Sequence, residues 1–214
     1  MSQADQIVYV VDDDPACREG VVNLLHAWDF EVVAFASAQE FIAAPKADRA
    51  SCLVLDIGLP GVTGLDLQKQ LTGIPHPPII FLTGTGDIPK AVQAMRAGAV
   101  EFLTKPFVEE KLISAIRSAL ERDRAERAVL ADLEGLRSRL ALLTPREHEV
   151  LPLVIGGLLN KQAASELGIS EVTLQVHRSR IMKKMRAHSV AELVRMASRL
   201  DVPVHGRAEK ISHA

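Results

Sequence analysis

Cysteine is scarce in this 214-residue chain: only Cys17 and Cys52 occur, and Cys52 opens an apolar run. Two thiols of that kind make no disulfide framework and suit a reducing cytosol. Aromatic residues amount to 4%, with one tryptophan, Trp28, read as a helix-end core residue. Met1-Ser2-Gln3-Ala4-Asp5 lacks the basic-then-apolar layout of a secretory leader. No uncharged apolar stretch reaches membrane-spanning length. These absences lead us to expect a soluble cytoplasmic protein without a membrane partner.

What the chain does have is a 48% hydrophobic content, enough for real cores, and an uneven charge. Residues 1–110 hold 7 Lys/Arg against 15 Asp/Glu, whereas residues 141–214 hold 11 against 7. An acidic head and a basic tail suggest a metal or phosphoryl site at one end and a polyanion partner at the other.

The first part alternates strand and helix. Apolar runs predict strands over 7–11, 31–35, 52–56, 79–83 and 101–104. Amphipathic stretches predict helices over 15–28, 38–44, 64–71, 89–97 and 108–122. The pattern is that of a doubly wound five-stranded parallel sheet of α/β class. Asp12-Asp13, Asp56, Thr83 and Lys105-Pro106 each stand at the C-terminal end of one such run. In open parallel sheets that end is where ligands bind.

Carboxylates, a hydroxyl and a lysine gathered there make a divalent-metal and phosphoryl site. Mg²⁺ takes oxygen ligands, keeps several waters, and commonly uses only one or two carboxylates. Asp13 and Asp56 can supply these, Asp12 can hold a metal-bound water, and the Gly58 carbonyl is a further ligand. Asp56 is also the candidate nucleophile for a phosphoryl group. Lys105 would steady the charge on that group, and Thr83 would hydrogen-bond one of its oxygens.

Residues 122–143 lack proline and are dense in Arg, Glu, Ala and Leu, with Val129, Leu133, Leu136, Leu140 and Leu143 spaced 4-3-4-3. This short heptad seam is either a connector helix packing on its own domain or a two-stranded coiled coil. Beyond it the signals are all-helical. Thr144-Pro145-Arg146-Glu147 is a capping box, Asn160 and Ser170 are candidate caps, and Ser189 with Glu192 forms a second box. A short helix, a tight turn at Gly168 and a longer helix follow helix-turn-helix grammar. The expected layout is a first domain over 1–122, a helical linker over 123–143, a four-helix domain over 144–201 and a disordered tail over 202–214.

VVDDD (10–14), LDIGLPG (55–61), FLTGTGD (81–87) and EFLTKPF (101–107) make residues 5–122 resemble the CheY-like, flavodoxin-like receiver domain of bacterial two-component response regulators. The resemblance implies Asp56 as phosphoacceptor, Asp12 and Asp13 as acidic pair, Thr83 and Phe102 as switch residues, and a cis Lys105-Pro106 bond. GDIPKAVQAMRAG (86–98) resembles the FixJ branch, in which this helix and the next strand form the activated dimer face. Gly58 and Thr85 depart from that branch, where arginine and histidine are usual, so phosphoryl lifetime does not carry over.

LTPREHEVL (143–151), NKQAASELGIS (160–170) and VTLQVHRSRIMKKM (172–185) resemble the LuxR-type helix-turn-helix. The resemblance places Gln175, Val176 and Ser179 toward bases. Many relatives carry lysine where Gln175 stands, and a glutamine can pair with adenine. Lys161, Arg178, Arg180, Lys183 and Lys184 are candidate phosphate contacts.

Together these readings predict a FixJ/StyR-type DNA-binding response regulator, not an enzyme. A sensor histidine kinase would phosphorylate Asp56 with Mg²⁺ bound. A homodimer would then bind double-stranded DNA and, with RNA polymerase, activate transcription. Three other classes fit the sequence less well. An aspartyl-phosphate phosphatase wants a second Asp where Gly58 stands. A receiver used only for protein contacts leaves the complete acidic set unexplained. An RNA-binding antiterminator lacks an aromatic stacking platform on its third C-terminal helix.

Overall fold

The computed structural model describes residues 6–84 and 88–205. It divides into two compact units, residues 1–128 and 129–214.

The first unit holds β1 (Gln6–Val11), α1 (Pro15–Ala27), β2 (Val32–Phe35), α2 (Ala38–Ala43), β3 (Ala50–Asp56), α3 (Gly64–Leu71), β4 (Ile79–Thr83), α4 (Ile88–Arg96) and β5 (Glu101–Thr104). All pairings are parallel, in the order β2-β1-β3-β4-β5. Every residue of β3 is buried, as expected of a central strand covered on both faces. Side chains alternate along each strand, so two cores form. Ile7, Tyr9, Leu53, Leu55 and Phe81 pack with Phe41 and Leu67 on one face. Val8, Val10, Val54, Ile80 and Leu82 pack with Leu25, Leu112 and Ile116 on the other.

Chain order reverses between β1 and β3: the chain leaves β1 outward to β2, then returns across it to β3. Such a switch point opens a crevice at the carboxyl ends of the two strands.

Helix α5 (Glu109–Ala141) joins the helix expected over 108–122 and the helical linker expected after it into one element. It runs unbroken for 33 residues, because nothing in the Arg/Glu/Ala/Leu-rich stretch stops it and Gly135 alone does not suffice. Buried Asp123 anchors it by accepting from the Ser51 N–H at 2.8 Å and from Arg127 Nε at 2.6 Å. Trp28 is 39% exposed rather than a core residue, with the Arg117 guanidinium 5.4 Å from its ring centre.

The second unit adds α6 (Pro145–Ile155), α7 (Asn160–Glu166), α8 (Glu171–Met185) and α9 (Val190–Arg199). The Thr144–Glu147 capping box forms, and Ser170 and Ser189 cap α8 and α9 through their hydroxyls. Leu136 and Leu143 are buried and Leu140 packs beside them in this unit's own core, whereas Val129 is 61% exposed. The C-terminal half of the heptad seam therefore serves as a connector. The expected disordered tail begins ordered: Val202 and Val204 pack on the same core, and His205 Nε2 meets Glu166 at 2.9 Å. Residues 206–214 lie outside the described residues. Among the described residues no helix is long and apolar enough to cross a membrane.

Candidate phosphoryl site and nucleic-acid interface

Sheet register assembles the first site one step at a time. Val11 pairs with Leu55, so Asp12 and Asp56 leave neighbouring strands side by side. Asp56 pairs with Leu82 and Thr83 with Thr104, which brings Thr83 and Lys105 to the same edge. The Lys105 N–H donates to the Thr83 carbonyl at 2.7 Å, and the Lys105-Pro106 peptide is cis.

Asp12, Asp56 and Thr83 are buried; Asp13 is exposed. Lys105 Nζ lies 2.6 Å from Asp12 Oδ2 and 2.9 Å from Asp56 Oδ1. Burial alone would lower the lysine pKa, but the hydrogen bonds and charges of both carboxylates carry it above its ordinary value. Asp56 Oδ2 accepts from the Gly58 N–H at 2.5 Å. Asp12 Oδ1 accepts from the Asp14 N–H at 3.0 Å, while Asp14 caps α1 by accepting from Ala16 N–H.

Two buried carboxylates thus share one ammonium, with a third carboxylate at the rim. Buried charge wants compensation, so the site keeps an appetite for one more cation. Its donors are all oxygens, which fits a hard ion such as Mg²⁺. Among the described residues no three His, Cys, Asp or Glu side chains converge to hold a metal by themselves. A cation here would complete its shell with water and the Gly58 carbonyl, as the sequence reading expects.

Two glycines shape the crevice. A Cβ on Gly58 would sit 3.0 Å from Asp56 Oδ2, so any larger residue there presses on the carboxylate. Gly64 was missed by sequence reasoning. A Cβ there would stand 2.3 Å from the Asp56 carbonyl oxygen, so only glycine lets α3 start directly behind Asp56. Its signal was the Thr63 cap one residue earlier, whose hydroxyl accepts from Asp66 N–H. Thr85 and the first two residues of the 86–98 motif lie outside the described residues. Phe102 is half-buried against the first core.

In the second unit α8 turns Leu174, Ile181 and Met185 inward. Gln175, Val176, Ser179, Arg180 and Lys183 are exposed on the other side, as is Lys161 on α7. Two predicted contacts are placed differently from a free basic face. Lys184 Nζ is bound to buried Glu147 at 2.6 Å, a structural pair rather than a lysine waiting for phosphate. Burial pushes the Glu147 pKa up, yet Lys184 and the Thr144 N–H together hold it below the usual value. Arg178 donates to Asn160 Oδ1 at 2.7 Å. Asn160 is accordingly not the α7 cap: Leu159 holds that position, and its N–H donates to Gln162 Oε1 at 2.9 Å.

Comparison with known proteins matches a family to each of the two units. Residues 8–117 match the response regulator receiver domain, and residues 141–197 match the bacterial regulatory proteins of the luxR family. Nodulation protein W of Bradyrhizobium diazoefficiens is 48% identical over 197 residues, 92% of this chain and 87% of that one. Transcriptional regulatory protein FixJ of the same organism is 41% identical over 193 residues, 90% of this chain and 94% of that one. The low-resolution structure of response regulator StyR superimposes with a TM-score of 0.83 at 46% identity, covering 91% of this chain and 99% of that one. The chain belongs to the FixJ-like response regulators of two-component systems, a transcriptional regulator with a receiver and a LuxR-type DNA-binding domain rather than an enzyme.

Proposed function

We propose that this regulator is switched by phosphorylation of Asp56. The observation that carries the reading is the pair of buried carboxylates, Asp12 and Asp56, bridged by Lys105 Nζ. An Asp56 oxygen attacks phosphorus on a kinase phosphohistidine; the P–O bond forms as the P–N bond breaks, and the imidazole leaves. Asp13, Asp56 and the Gly58 carbonyl would hold Mg²⁺, with Asp12 on one of its waters, and the ion would neutralise charge on the phosphoryl oxygens. Lys105 moves from its carboxylate pair onto one of those oxygens.

Thr83 then turns toward the phosphoryl group and Phe102 follows into the space it leaves. The face over 87–104 responds. There Ile88, Val92 and Met95 already expose an apolar stripe, at 74%, 45% and 44%. A second copy of the chain covers it, and the paired C-terminal domains engage two half-sites one or more helical turns apart. Gln175, Val176 and Ser179 face bases; Lys161, Arg178, Arg180 and Lys183 face phosphates. RNA polymerase recruited beside them activates transcription.

Incubation of the full-length chain with acetyl phosphate and Mg²⁺ tests the first step. Intact-mass measurement should show one added phosphoryl group in the wild type and none in Asp56→Asn. Phosphorylation of the variant to the same extent would reassign the acceptor.

A further inference from the structure

The relation between α7 and α8 holds a residue whose role the family match does not give. At 3.6 residues per turn, α8 places Leu174, Ile181 and Met185 on its core side and Val172, Gln175, Val176 and Ser179 on the opposite side. Arg178 falls on the flank between them, where α8 packs beside α7. A flexible arginine on such a flank has many rotamers, and ordering it on binding DNA costs conformational entropy. Here it is ordered beforehand. Asn160 Oδ1 accepts from its guanidinium at 2.7 Å across 18 residues of sequence.

Asn160 is available for this because Gln162 takes the reach-back bond at the start of α7, accepting from Leu159 N–H. Among the described residues one nitrogen of the guanidinium is used, and the rest of the planar fork is available to donate. Asn160, Lys161 and Arg178 line one open concavity of about 550 Å³, with Leu159 on its rim. Glu171 lines the same concavity, so the arginine also has a carboxylate nearby. A neutral tether from Asn160 holds the guanidinium without cancelling its charge, which a salt bridge would do.

We infer that Asn160 is a positioning residue that presets Arg178 beside Lys161 for contact with the DNA backbone. It acts through Arg178 and touches no base. The inference rests on the reading of the α8 flank as a phosphate contact.

The test is a double-mutant cycle in the full-length chain activated with Mg²⁺ and beryllofluoride, read by fluorescence anisotropy on a labelled random-sequence duplex over a salt series. Arg178→Ala should weaken binding and lower the salt slope by about one. Asn160→Ala should weaken binding about threefold to tenfold, the range of a coupled pair. The double variant should bind no worse than Arg178→Ala alone, since the tether has nothing left to hold. Thermal unfolding of each variant accompanies the titrations. If Asn160→Ala binds like wild type, or its loss persists in full in the Arg178→Ala background, the positioning role is overturned. If Arg178→Ala alone changes nothing while Lys161→Ala weakens binding, the flank reading of Arg178 falls and the inference falls with it. If the wild type binds no duplex at all, the DNA-binding reading itself has failed.

Discussion

A methyl group on Gly64 would stand 2.3 Å from the backbone oxygen of Asp56, closer than any real side-chain carbon approaches. The start of α3 and the end of β3 are locked together at the phosphoacceptor, and the Gly64 N–H also donates to the Ile57 carbonyl at 3.1 Å.

Gly64→Ala should therefore displace α3 or the Asp56 carbonyl. Overpacking of this kind costs about 1–3 kcal/mol. Urea unfolding should show that loss in the receiver, and acetyl phosphate should label the variant more slowly. A Gly64→Ala protein with unchanged stability and labelling would show that the close approach is not needed.

Lys105 is the only cation bonded to both Asp12 and Asp56 among the described residues. Lys105→Met leaves two buried carboxylates facing each other without it. Mg²⁺ affinity should then rise, about threefold to tenfold, as a divalent ion takes over the neutralising role. Phosphoryl labelling should fall in the same variant. Calorimetric Mg²⁺ titration of the two proteins decides this, and weaker binding in the variant would contradict it. The pH sign is fixed by the raised folded-state pKa of Lys105. The stabilisation is complete below the ordinary lysine value and is lost as pH rises through the folded one.

Glu147 carries the opposite dependence in the C-terminal unit. Its folded-state pKa is depressed, so its contribution is present above the ordinary glutamate value. It is lost as pH falls through the lower, folded value. Lys184→Met removes the partner of a buried carboxylate and should cost about 3 kcal/mol at neutral pH. The salt slope of DNA binding should stay as it is, because Lys184 is committed to Glu147. A Lys184→Met protein of unchanged stability and lower salt slope would return Lys184 to the phosphate contacts.

Gln175→Lys changes what the exposed face of α8 offers. Glutamine pairs with the adenine edge and lysine with guanine, each good contact being worth about 1–3 kcal/mol of discrimination. Duplexes selected from a random pool by each protein should differ at the same position of each half-site. Identical selected sites would remove Gln175 from base readout.

Strand ends were the most legible part of the molecule. Each apolar run stops where a polar side chain must reach the crevice, so Asp12, Asp56, Thr83 and Lys105 could be gathered before any coordinates. The long α5 was not legible, because composition shifts after Arg122 without a proline or cap to end the helix. Asn160 was misplaced as a cap because asparagine favours that position, and local preference does not see Arg178 on the next helix. Lys184 was misread for a related reason: its partner Glu147 is 37 residues away, and helical periodicity reports a face but not a distant ion pair. Gly64 was overlooked because the oxygen it accommodates belongs to the backbone.

Phosphorylation of Asp56 is proposed to set the assembly state. Solution mass by light scattering, with and without Mg²⁺ and beryllofluoride, tests it most directly in wild type and Asp56→Ala. A shift from monomer to dimer in the wild type alone is the predicted result. An unchanged mass in the wild type, or the same shift in Asp56→Ala, would contradict it.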